Sequence, residues 1–266
     1  MKDRTATRWY WMAALGITIP GLLYSAELTN PPPPKVSVEK PPQAEIAKPV
    51  PTPPPATPSG TKVVYKPPLR GAPAVRIDGG SRGSGISLVC LTVLTPNDTA
   101  LTVQAQPSLF WYQSQPEDVP VELTILAHNV AHPLLEVHLP NARNAGIQRL
   151  NLSDHNVKLV PGVEYEWVVA LVVDPENRSK DVVASGWIER VDPPPSLQSR
   201  LAHAGSEDLP AIYAEEGIWL DTMTAMASLI DARPNDRSLQ QDRAALLQQV
   251  GLTNAAAYAA APINRE

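Results

Sequence analysis

Twelve of the thirty residues in the stretch 31–60 are proline, including the unbroken runs 31–34 and 53–55. Proline has no backbone N–H and clashes with the preceding helical turn, so a run this dense forms neither helix nor central strand. A chain of 266 residues built this way must draw its core from the residues C-terminal to the prolines. Polyproline II rises about 3.1 Å per residue, so the lead from Asn30 to Pro73 reaches on the order of 130 Å when extended. Lys35, Glu39, Lys40, Glu45 and Lys48 keep it solvated. Residues 27–75 therefore read as a disordered proline-rich linker, a semi-rigid spacer. The same composition also suits a docking ligand for an aromatic-lined groove.

Before the prolines, Lys2, Arg4 and Arg8 precede an apolar run over residues 9–23, closed by the small residues Ser25 and Ala26. Residues 1–26 have the layout of a secretory signal. As a helix the apolar run covers about 22 Å, short of a ~30 Å hydrocarbon core. Cleavage after Ala26 or Ser25 leaves bulky Tyr24 or Leu23 where a small residue is wanted, so a short retained anchor stays open. Either way the rest of the chain is expected to be exported, periplasmic or in the cell envelope.

Residues 61–266 carry 16 Lys and Arg against 23 Asp and Glu, a net charge of −7. Such a surface repels phosphate backbones, which argues against nucleic acid as a partner. Membrane contact is expected only through an uncleaved N-terminal segment. Cys90 is the single cysteine, which excludes an internal disulfide. It lies in a β-like run and reads as a buried structural thiol, with no base nearby to activate it.

From residue 76 to 192 short apolar or alternating runs are separated by turn residues. Strands are expected near 86–94, 101–104, 109–113, 121–127, 134–139 and 147–152. The clearest is Tyr165, Trp167, Val169 and Leu171 at period two, introduced by Pro161-Gly162 and turned by Asp174-Pro175-Glu176-Asn177. Residues 182–191 read as its return strand. About seven such strands predict an antiparallel immunoglobulin-like β-sandwich. Trp111, Trp167 and Trp187 are its expected core residues, each needing a partner for its indole N–H.

At Pro193-Pro194-Pro195 the period changes. Trp219, Met223, Met226 and Ile230 follow helical spacing, with Asp221, Thr224 and Ser228 on other faces. Ser238 and Gln241 read as a capping box, and Gly251-Leu252 as a Schellman stop. A shorter helix is expected from Ser196 to Ala204. The fold class expected is mainly β with α, the sandwich followed by a small helical part over 193–252, then a disordered tail over 253–266.

Residues that could carry chemistry each have a plainer reading. His128, His132 and His138 lie beside Glu136, but on a strand end, a turn and a strand, so they read as surface histidines and not as a zinc site. His155 and His203 lack partners in sequence. The glycine-rich stretch 78–85 lacks the lysine ending of a phosphate loop and reads as a flexible entry to the domain. Glu215, Glu216 and Asp221 surround Gly217-Ile218-Trp219 and could serve acid–base chemistry. Acidic groups in a first helical turn also complement the helix dipole. No catalytic, cofactor-binding or metal-binding residue is assigned, and no cofactor.

Several stretches resemble, in order, the bacterial family called domain of unknown function 928. They are Arg70-Gly71-Ala72-Pro73, Gly79-Gly80-Ser81-Arg82-Gly83, Leu109-Phe110-Trp111-Tyr112, Tyr165-Glu166-Trp167, Gly186-Trp187-Ile188-Glu189-Arg190, Gly217-Ile218-Trp219-Leu220-Asp221 and Leu246-Leu247-Gln248-Gln249-Val250-Gly251-Leu252. The resemblance covers residues 68–252. It implies export, and it implies no activity or ligand. The function expected is a non-enzymatic binding or scaffold module whose partner is another envelope protein. One alternative is an anchored spanner similar in layout to TonB, transmitting force or signal through its prolines. A second is a carbohydrate-acting enzyme using Glu215 or Glu216.

Overall fold

The computed structural model of the chain describes residues 63–68, 75–80, 89–128 and 130–261. The segment read as a signal or anchor, the dense prolines and residues 81–85 of the glycine-rich stretch lie outside the described residues, whereas Gly79 and Gly80 of that stretch form a short strand and not a loose entry. Nine strands and five α-helices make a mixed α/β unit among those described. The strands are β1 (Gly79–Gly80), β2 (Cys90–Val93), β3 (Ala100–Thr102), β4 (Ser108–Gln113), β5 (Val121–Ala127), β6 (Leu135–Leu139), β7 (Gly146–Asn151), β8 (Glu164–Leu171) and β9 (Val182–Arg190). The helices are α1 (Pro195–Leu201), α2 (Leu209–Glu215), α3 (Trp219–Ala232), α4 (Arg237–Gln249) and α5 (Thr253–Ala260).

Two sheets form, in the orders β1-β2-β4-β7 and β3-β9-β8-β5-β6. Between the named strands pairing is antiparallel except at β3, which runs parallel to β9 from the register Ala100–Ile188 to Thr102–Arg190. The all-antiparallel expectation fails at this one pair. The β8–β9 return is as expected, with Tyr165 opposite Ile188 and Leu171 opposite Val182. Alternation on β8 sends Tyr165, Trp167, Val169 and Leu171 into the buried cluster that both sheets share. Where the sheets meet, a Cβ on Gly186 would lie 2.6 Å from Thr95 Oγ1 and 3.0 Å from Val93 Cγ2, so only glycine fits.

The same register corrects one core assignment. Trp167 lies opposite Gly186, which puts Trp187 opposite Glu166 on the other face. Trp187 is half-buried there, its ring 5.8 Å from His128. Trp111 and Trp167 are buried as expected, but neither indole N–H finds a partner.

Helices cover the opposite face of the first sheet. Phe110 and Tyr112 point toward them, alternating with Leu109 and Trp111, and Tyr112 meets Tyr258 of α5 at 5.7 Å. The stripe on α3 is real: Trp219, Met223 and Met226 join the core with Ile230 packed beside them. Trp219 Nε1 donates to the Leu94 carbonyl at 2.7 Å. The cap of α4 is Asp236, not Ser238. Because the helix starts at Arg237, the Asp236 carboxylate accepts from Ser238 N at 3.0 Å and from Ser238 Oγ at 2.6 Å. The stop is the expected one: Gly251 has φ +75°, and Leu252 N donates to the Leu247 carbonyl at 3.0 Å.

Two boundaries move. Residues 253–260, expected in the tail, form α5 and bury Ala255, Ala256 and Ala259. Residues 63–68, expected in the linker, form a strap across the helices. Val63 and Tyr65 are buried while Val64 and Lys66 face outward. Tyr65 N donates to Gln249 Oε1 at 2.9 Å, Gln249 Nε2 donates to the Val63 carbonyl at 3.0 Å, and Lys66 N donates to the Ala214 carbonyl at 2.9 Å.

Candidate functional site

Helix α3 has two working faces. Its Trp–Met stripe faces the core, and Asp221, Ala225, Ser228 and Ala232 repeat at helical spacing along another side. That second side forms one wall of a cleft of about 480 Å³. The β3–β4 connection supplies a second wall through Gln104, Gln106, Pro107 and Ser108. Ser206, Leu209 and Tyr213, in and just before α2, close the third. Sequence reasoning placed Asp221, Thr224 and Ser228 off the apolar stripe, and all three line this cleft.

Asp221 is its most constrained group, at 4% exposure. Oδ2 accepts from Thr102 Oγ1 at 2.7 Å and from Val103 N at 3.2 Å, which fastens the end of β3 to the first turn of α3. Gln104 N donates in turn to Thr102 Oγ1 at 3.0 Å. Oδ1 is buried without a hydrogen-bond partner. Burial, only partly offset by the Thr102, Val103 and Gln104 donors and by its own backbone N–H, pushes the Asp221 carboxyl up to about 6. The Tyr213 hydroxyl is also raised, by burial first and by the nearby Asp221 charge second. Most cleft hydroxyls are already engaged: Thr224 Oγ1 donates to the Leu220 carbonyl, Ser228 Oγ to the Thr224 carbonyl and Ser108 Oγ to Asn151 Oδ1.

The other two carboxylates of the sequence cluster lie elsewhere. Glu215 ends α2 and Glu216 follows it, so they sit in a last helical turn and not a first. Both are held by Arg200, at 2.6 Å and 3.0 Å. The histidines also separate: His128 lies tilted beside Trp187, His138 Nδ1 lies 3.3 Å from Glu122 Oε1, and His132 is exposed. Among the described residues no three His, Cys, Asp or Glu side chains gather as metal ligands would. Cys90 is half-buried, with its sulfur 3.7 Å from Thr92 Oγ1 and 3.6 Å from Asn254 Nδ2.

A second, smaller hollow of about 260 Å³ opens between β4, β7 and the loop after β6, lined by Trp111, Gln113 and Asn141 among others. Its arginines are engaged, Arg143 with Asp118 and Arg149 with Asp231. Against known proteins, the model of the family described as Domain of Unknown Function (DUF928) matches residues 77–262. No curated protein and no solved structure matches the chain.

Proposed function

The chain belongs to the DUF928 family, and from that premise we propose an exported envelope module that acts by binding and not by catalysis. The observation that carries this reading is the cleft between α3, α2 and the β3–β4 connection. Its volume of about 480 Å³ falls within the ~300–1,000 Å³ common for small-molecule sites. Among the described residues, Asp221 and Tyr213 are the only ionisable side chains lining it. Acid–base chemistry on a sugar wants two carboxyl groups facing one bond, and the neighbouring candidates Glu215 and Glu216 are tied to Arg200. We read the two sheets as an immunoglobulin-like sandwich, supported by the inward and outward alternation of β5 and β8.

A small-fragment library screened by thermal shift tests the binding reading. A hit should raise the melting temperature of the native chain and leave an Ala225→Trp variant, whose cleft is filled, unmoved. A library without such a hit sinks the reading. Export is tested by fusing residues 1–60 to a reporter active only beyond the inner membrane.

One observation favours a second reading, in which another envelope protein docks on the outer face of the second sheet. Helices α1 and α2 cover only the β3 edge of that face, where Leu101 packs on Leu197 and Ile212, and the middle of β9 presents Trp187 beside exposed Val183 and Ile77. Trp187→Ala would then abolish the association with little loss of stability.

A further inference from the structure

The charge pattern of the cleft narrows its ligand, an inference that rests on the binding role proposed for this cavity. Among the described residues no Lys, Arg or His lines it, so Asp221 has no counter-charge inside. Its Oδ2 takes the Thr102 and Val103 donors and the Gln104 amide also faces the carboxylate, while Oδ1, equally buried, has no partner at hydrogen-bond distance. A buried acceptor without a donor is a standing cost that a ligand donor can relieve, and a charged donor relieves it more than a neutral one. The remaining wall offers Pro107, Leu209, Ala225 and Leu229 to hydrocarbon. Tyr213 adds the negative face of an aromatic ring, which also attracts cations.

We infer that the cleft takes a small amphiphilic amine, its ammonium donating to Asp221 and its apolar part lying against Leu209, Ala225 and Leu229. An acid would meet a like charge at Asp221, and an alcohol would leave that charge unpaired.

Calorimetric titration of the full chain at pH 7.5 with tryptamine, tryptophol and indole-3-acetate tests this, since the three share one ring and differ in the terminal group. Tryptamine is expected to bind at least tenfold more tightly than tryptophol, with indole-3-acetate weakest. Asp221→Asn should erase the preference for the amine and keep tryptophol binding, and Ala225→Trp should abolish all three. If Asp221→Asn fails to fold, the native chain serves. Between pH 7.5 and 5 tryptamine affinity should fall several-fold as Asp221 takes up a proton, while tryptophol affinity holds. Equal affinities, a preference for the acid, or amine binding indifferent to both Asp221→Asn and pH would overturn the amine assignment. Loss of all three on filling the cleft would then still uphold it as a binding site. Binding by none of the three overturns the assignment too, and the fragment screen decides the binding site separately.

Discussion

Tyr65 meets Trp219 edge to face, ring centroids 4.9 Å apart and planes at 75°. The pair joins a residue just beyond the dense prolines to the head of the central helix. Aromatic pairs in this geometry contribute about 0.5–1.5 kcal/mol beyond their buried area. The Tyr65 hydroxyl is buried with no partner, and burial raises its pKa, with the Asp98 charge a smaller cause.

Tyr65 should therefore separate ring from hydroxyl. Tyr65→Ala is expected to cost about 3 kcal/mol, the usual scale for deleting a buried ring. Tyr65→Phe should be neutral or slightly stabilising, because it removes an unpaired buried polar atom. Urea midpoints of the two variants read the difference. A destabilised Tyr65→Phe would show that the hydroxyl has a partner after all.

Asp221 makes stability depend on pH in a definite direction. Its folded pKa of about 6 lies above the ordinary 3.8, so the folded chain holds this proton more tightly than the unfolded one. The contribution is full below about pH 4 and is lost as pH rises through 6, on the order of 3 kcal/mol in all. Surface carboxylates such as exposed Asp118 and half-buried Asp174, whose pKa values are lowered, pull the other way. The informative quantity is the difference between the native chain and Asp221→Asn across pH 4–7. It should move in the native chain's disfavour as pH rises, and a flat difference would refute the burial argument.

The three tryptophans of the β8–β9–α3 region should rank by burial. Trp167→Ala and Trp219→Ala are expected to cost about 3–5 kcal/mol each, since both rings are fully enclosed. Trp187→Ala should cost about 1 kcal/mol, as for a partly exposed site without a hydrogen bond at stake. Chemical denaturation of the three variants checks the order, and a Trp187 variant as unstable as Trp167→Ala would reverse the face assigned to it.

Arg200 bridges α1 to the end of α2 through Glu215 and Glu216. These groups are partly exposed, so Arg200→Ala should cost under about 1 kcal/mol, less in high salt. A loss of several kcal/mol that salt leaves untouched would mean the arginine stem, not its charge, does the packing.

Replacing the cap Asp236 by Ala should cost about 1 kcal/mol, and replacing Ser238 should cost less. Melting temperatures of the two variants decide between the observed cap and the one expected from the Ser238–Gln241 spacing.

Where one physical rule acted alone, the structure was legible from residues. The alternation of β8 and the stripe of α3 each follow from a single buried face, and the glycine stop of α4 follows from the need for positive φ at residue 251. For Trp187 the sequence shows that β9 alternates but not which parity faces inward, and pairing with β8 decides that. Helix α5 is illegible in sequence because a run of alanines has no apolar contrast to reveal a period. The strap was hidden by its neighbours, since Val63 and Tyr65 alternate over too few residues to stand out from a proline-rich setting. In sequence Asp221 stands out only by its company with Glu215 and Glu216. Its importance comes instead from the end of β3, more than a hundred positions away, where Thr102 and the following Val103 hold it in a cleft that no local pattern announces.

The strap has a mechanical consequence. Any pull arriving at Val63 along the chain is received by Gln249 at the end of α4 and by Ala214 within α2, before a single strand of either sheet is loaded. Among the described residues the hydrogen bonds there number few and the aromatic contact is single, so this attachment can peel while the sheets stay intact. The strap is thus a seam held by few bonds, and α2, which lines the cleft through Tyr213, is one of its two edges.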